Sequence, residues 1–157
     1  KIFDLKEENM DKFISDMGFL NINIEKADAD SVQDTDIVVA ATASPKPVVF
    51  GKNIKPGTHV TSIGAHTPEA GELDKEVLAK AKIVIDSQDC LKSGDIIGYE
   101  GELTEIQDII SGSKNIRTSK EDITLFKSVG TALQDVAAAK LVYDKAVKSG
   151  IGQEIEL

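Results

Sequence analysis

Apolar positions along the chain switch repeatedly between two periods. "DIVVAA", residues 36–41, is a continuous β-branched run, the pattern of a strand buried on both faces of a sheet. "AKIVID", 81–86, reads the same way, and residues 58–63 and 123–126 predict two further strands. Residues 1–4 and the polar-edged stretch 21–25 are also strand-like. Between these lie helical spacings: Met10, Phe13, Ile14 and Met17 fall on one face, and Asp4 with Glu7 has the spacing of a capping box. Residues 29–34 predict a short helix, and 72–80 a helix capped near Asp74. Thr104 and Gln107, again at capping-box spacing, open a helix that runs through Ile110. The last helix spans about 128–148, with Val129, Leu133, Val136, Ala139, Tyr143 and Ala146 on one stripe and Gly150 as its C-cap. Strand and helix in alternation predict an α/β fold: a mostly parallel sheet flanked by helices.

Composition narrows the partners. The chain has 157 residues, 41% of them hydrophobic, enough for the core of one domain. Its formal net charge is −9 and its Lys and Arg are scattered, so no nucleic-acid surface is expected. The longest apolar run, 37–43, is strand length, short of the roughly 18 residues a membrane span needs. The single cysteine, Cys90, excludes a disulfide framework or a CxxC metal site. It reads as a small apolar residue in a reducing compartment, so a cytoplasmic location is expected. The chain opens on strand-like residues, which suggests the later part of a larger protein.

In open parallel sheets, ligands bind beyond the carboxyl ends of the strands. Four segments of this chain are placed there: Asp4, residues 41–44, residues 64–67, and Asp86 with Ser87. Asp4 is either a helix N-cap or an acid that accepts hydrogen bonds from a nucleotide ribose. Thr42 is an ordinary polar strand exit or a hydroxyl aimed at a cofactor. Gly64 and Ala65 are small enough for a flat ring to lie against their backbone. His66 is one of two histidines and the only group of its loop that titrates near neutral pH. It is either structural or an acid–base group; His59, inside a strand, reads as structural. Ser128 is a helix cap or points at a ligand. Two histidines without neighbouring cysteines or a close carboxylate pattern do not suggest a metal site.

Three stretches carry a resemblance: "KIFDLKEENMDKF"; the run from "TDIVVAATASP" through "KPGTHVTSIGAHTPEAGELDKEVLAKAKIVIDS"; and "EDITLFKSVGTALQDVAAAKLVYDKAV". In this order they resemble the ornithine cyclodeaminase/μ-crystallin family, which includes archaeal alanine dehydrogenase and several imine reductases. The resemblance implies an incomplete Rossmann-type NAD(P)-binding domain over 1–127. Residues 128–157 would be the long helix and tail that return to a substrate and dimerisation domain. The N-terminal half of the family chain, with its first strand and glycine loop, is not among these residues.

By the same resemblance, Asp4 would hold the adenosine ribose and favour NAD(H) over NADP(H). Thr42 and Ala43 would line the cofactor, Ile63, Gly64 and Ala65 would flank the nicotinamide, and Ser128 would lie near its carboxamide. His66 stands where cyclodeaminases have an aspartate and μ-crystallin a serine. It would be the catalytic proton donor or acceptor, so the expected reaction is hydride transfer at the α-carbon of a small amino or imino acid, by a dehydrogenase or ketimine reductase. Ornithine cyclodeamination and a non-catalytic, μ-crystallin-like binding role are the alternatives. A homodimer is implied for the full-length protein.

Overall fold

The computed structural model describes residues 1–153 and 155, so the expectation for the tail falls partly outside the described residues, at 154, 156 and 157. Five strands, β1 (Ile37–Ala40), β2 (His59–Ser62), β3 (Lys82–Ile85), β4 (Leu103–Glu105) and β5 (Thr124–Lys127), form one sheet in the order β1-β2-β5-β3-β4. Every pairing is parallel. Among the described residues four α-helices accompany it: α1 (Glu7–Asp16), α2 (Lys75–Lys80), α3 (Ile106–Ile110) and α4 (Ala132–Ser149). The core lies around β2, β3 and β5, where Val60, Ile83, Ile85 and Leu125 are almost fully enclosed and pack with Val77, Leu78, Cys90 and Ile96.

Several local expectations are corrected. Residues 1–4 and 21–26 make only one parallel bridge, Ile2 to Lys26, instead of two strands. The Asp4–Glu7 capping box does not form: α1 has Lys6 as its N-cap, without a side-chain bond. Asp4 Oδ1 instead accepts from the Lys6 amide at 2.7 Å and from Asn9 Nδ2 at 3.0 Å, a local turn that competes with the box. The segment 29–34 is a 3₁₀ turn, held by an Asp28–Ser31 capping box. β1 was expected to be covered on both faces, yet Ile37 and Val39 are 67% and 62% exposed. β1 is the sheet edge among the described residues and only alternate side chains face the core.

Glu72 lies outside α2, whose N-cap is Asp74, bonded to the Val77 amide. Thr104 is a buried residue of β4, a strand the sequence pattern missed, and α3 starts after Glu105 without a side-chain cap. Ser128 is not the cap of the last helix. Thr131 and Gln134 form the capping box of α4, and Gly150 closes the helix at φ +64°. The apolar stripe of α4 is left open, with Leu133 78% and Tyr143 66% exposed.

Candidate functional site

Register brings the strand exits together. Ala40 pairs with Ser62, Ser62 with Lys127, and Lys127 with Ile85. The segments that follow, 41–44, 63–67, 128–130 and 86–87, therefore emerge along one edge of the sheet, where ligands of open parallel sheets bind. Beside β1 this edge opens into a cleft of about 500 Å³ lined by Asp4, Leu5, Val38, Thr42, Ala43 and Ser44, among others. The lining joins Asp4 to Thr42 and Ala43. Both contacts of Asp4 with its neighbours fall on Oδ1.

Gly64 packs directly on the exit of β1. A Cβ at this position would overlap the Thr42 backbone nitrogen and oxygen and reach 2.5 Å from Glu72 Oε1. Only glycine lets the two exits lie this close. Ile63 is 47% exposed at the same edge, whereas Ala65 is completely buried. His66 is exposed, and its Nδ1 lies 3.0 Å from the Gly64 carbonyl. A carbonyl only accepts, so Nδ1 carries the proton in this contact.

His59 is held inside the sheet as a structural residue. Its Nδ1 lies 2.8 Å from Thr124 Oγ1 and its Nε2 3.2 Å from Thr61 Oγ1. Burial, and then the Arg117 charge, lower its pKa.

Ser128 is turned inward. Its hydroxyl donates to Asp86 Oδ2 at 2.6 Å, and the same oxygen accepts from the Val129 and Gly130 amides at 3.1 and 2.9 Å. Burial alone would raise the Asp86 carboxyl. Hydrogen bonds from Cys90, Ser128, Gly130 and Val129 outweigh it and hold the group below the ordinary aspartate range. Asp86 thus anchors the loop between β5 and α4.

Sequence reasoning missed a group of charges beneath this edge. Glu72, Asp95 and Lys127 are 0%, 3% and 0% exposed. Lys127 Nζ lies 3.0 Å from Asp95 Oδ2, 3.1 Å from Ser62 Oγ and 2.5 Å from the Ala65 carbonyl oxygen. Ser62 Oγ is 2.8 Å from Glu72 Oε2 and 2.6 Å from Asp95 Oδ2, and its single proton serves one carboxylate at a time. Glu72 accepts from three backbone amides: Thr42, Gly64 at 2.8 Å and Ala65 at 3.3 Å. Burial would raise its pKa, but the bonds from Thr42, Ser62 and Gly64 outweigh burial and lower it. The one hint in the sequence is a lysine that ends an apolar strand: Lys127 closes "TLFK". Among the described residues, no three His, Cys, Asp or Glu side chains gather where they could hold a metal ion, and no helix is long and apolar enough to cross a membrane.

Residues 1–150 match the ornithine cyclodeaminase/mu-crystallin family. The alanine dehydrogenase of Archaeoglobus fulgidus is 38% identical over 165 residues, which cover 99% of this chain and 51% of that protein. The solved structure of Thermococcus litoralis Δ1-pyrroline-2-carboxylate reductase, in complex with NADH and L-proline, superposes with a TM-score of 0.91 at 38% identity, over 97% of this chain and 51% of that one. An archaeal alanine dehydrogenase dimer with bound NAD superposes with a TM-score of 0.87, also at 38% identity, over 98% and 51% of the two chains. The chain thus spans about half the length of the relatives it matches.

Proposed function

Because the chain belongs to the ornithine cyclodeaminase/mu-crystallin family, we propose that it is the NAD(H)-binding part of an oxidoreductase that transfers hydride at the α-carbon of a small amino or imino acid. The observation that carries this reading is the shared sheet edge: Asp4, Thr42 and Ala43 line one cleft, and His66 stands on the next strand exit, fused to the first by Gly64. The relatives named for alanine dehydrogenation and for pyrroline-2-carboxylate reduction support the reaction class.

The residues present fit a dinucleotide. The cleft wall is largely apolar, with Leu5, Val38 and Val48 beside the small Ala43 and Ser44 of the strand exit, and Asp4 can turn Oδ2 to the adenosine ribose hydroxyls while Oδ1 stays on Lys6 and Asn9. A carboxylate there repels a 2′-phosphate, so NAD(H) is preferred over NADP(H). NAD(H) supplies the hydride chemistry when bound; the protein positions it and manages the proton. Ile63, Gly64 and Ala65 form the wall beside the nicotinamide. Ala65 contributes as buried backbone support, and Ser128 shapes the neighbouring loop through Asp86. His66 Nε2 gives a proton to the substrate nitrogen during imine reduction and takes it back in the reverse direction.

Residues 1–127 form a partial Rossmann domain, and α4 with the tail leads into the substrate and dimerisation domain of the whole protein. The open stripe of Leu133, Val136 and Tyr143 supports that continuation, and the dimeric archaeal neighbour supports a homodimer. The test is turnover by the whole protein of NADH with a panel of imino acids, and of keto acids with ammonia, before and after His66→Ala. An unchanged pH–rate profile in that variant removes His66 from the chemistry. Absence of any turnover with tight NADH binding converts the reading to a binding protein.

A further inference from the structure

Glu72, Asp95 and Lys127 are three buried charges that take no direct part in the chemistry above. We propose that they form a positioning device, centred on Glu72, that locks the exits of β1 and β2 to each other and so sets where His66 stands relative to the cofactor cleft. This proposal rests on the function assigned in the preceding section.

The hydrogen-bond inventory supports it. Lys127 Nζ donates to Ser62 Oγ and to the Ala65 carbonyl and forms an ion pair with Asp95. That carbonyl also accepts from Ser93 Oγ at 2.8 Å. Both amides of the Gly64–Ala65 pair end on Glu72 Oε2, while the other oxygen of Glu72 takes the Thr42 amide. Asp95 Oδ1 in turn accepts from the Glu72 and Leu73 amides at 2.6 and 3.0 Å, so it fixes the backbone that carries Glu72. The Gly64–Ala65 segment is held from both sides by the side chains of Glu72, Ser93 and Lys127, from three separate segments, and the Gly64 carbonyl that remains is the one bonded to His66 Nδ1.

Stability alone is a poor reason for this arrangement. Apolar residues of equal volume often stabilise a core as well as a buried ion pair does. Directional bonds to backbone groups do what apolar packing cannot: they specify the loop to a fraction of an ångström, the tolerance that proton and hydride transfer demand.

The experiment uses the whole protein that carries this chain, with two variants. In Glu72→Gln one amide NH₂ must face a backbone N–H, so one of the two exits is released. Ser93→Ala removes only one bond to the Ala65 carbonyl and leaves every charge in place. Hydrogen–deuterium exchange over the two exits, residues 41–44 and 62–70, is the readout that needs no turnover. It is expected to rise about tenfold or more in Glu72→Gln, and less in Ser93→Ala, with the rest of the sheet unchanged. In steady state, kcat is expected to fall roughly 10–100-fold in Glu72→Gln while KM for the imino acid stays within about threefold. Unchanged exchange over both exits, 41–44 and 62–70, in folded variants overturns the proposal. So does an increase spread evenly over the sheet, which is the signature of global destabilisation. If the wild-type protein neither binds NADH nor turns over, the functional reading fails, and the exchange data still decide the positioning role.

Discussion

Lys127 Nζ and Asp95 Oδ2 stand 3.0 Å apart, and neither side chain has any exposed surface. One lies at the end of β5 and the other after the 88–92 turn, so this contact ties the centre of the sheet to the loop that flanks α2. Breaking a buried pair by removing one partner leaves an uncompensated charge. Lys127→Met is therefore expected to lower the unfolding free energy by about 3–5 kcal/mol, and Lys127→Met/Asp95→Leu to recover part of that loss. Urea denaturation of the two variants and the parent checks it; equal losses in the single and double variants contradict the pairing.

Gly64→Ala forces a methyl group into the Thr42 backbone. Overpacking of this kind costs about 1–3 kcal/mol. Gly98 has open space around its Cβ position but φ +76°, so Gly98→Ala is expected to cost only about 1–2 kcal/mol from backbone strain. The two variants should separate in NADH affinity: Gly64→Ala weakens it by shifting the cleft wall, and Gly98→Ala leaves it unchanged. Fluorescence titration measures both.

Acid stability is expected to depend on Glu72. Burial would raise its carboxyl, yet hydrogen bonds from Thr42, Ser62 and Gly64 prevail and hold its folded pKa below the ordinary value of 4.5. A depressed folded pKa means that the unfolded chain takes up the proton first, so the contribution is fully present above about pH 4.5 and is lost as pH falls through the lower folded value. Denaturation midpoints between pH 7 and pH 3 should therefore fall less steeply in Glu72→Gln than in the parent.

Cys90 is expected to be inert in the folded protein. It is fully buried, and burial together with its bond to Asp86 pushes the thiol pKa up to about 11. Because the thiolate is the reactive species, a thiol reagent at pH 8 should label Cys90 only after denaturant is added. Rapid labelling of the native chain contradicts this burial.

Much of the architecture was legible from periodicity. The runs 36–41, 58–63, 81–86 and 123–126 all became strands, because β-branched runs of that length have few other ways to hide their side chains. The misses have local causes. β4 is only three residues long, Leu103–Glu105, too short to show a period. The Asp4–Glu7, Thr104–Gln107 and Ser128 caps failed because capping spacing recurs by chance, and the bond goes to whichever backbone amide the fold brings near. In the candidate site, Asp4, Thr42, Ala43, Gly64 and His66 could be nominated as strand-exit residues, since that rule depends only on strand order along the chain.

The sequence by itself determined the alternation of strand and helix, the small residues at the strand exits, and the family that those segments resemble. These are local properties, written in neighbouring residues. Only the tertiary structure decided that Ser62, Glu72, Asp95 and Lys127 meet, that Ser128 turns in to Asp86, and that Gly64 must lie against Thr42. Lys127 and Ser62 are 65 residues apart in the chain. Their meeting follows from β5 inserting between β2 and β3, a parallel register with no local signature. A buried charge is tolerated only where distant partners complete its hydrogen bonds, so its role becomes visible once the sheet is assembled.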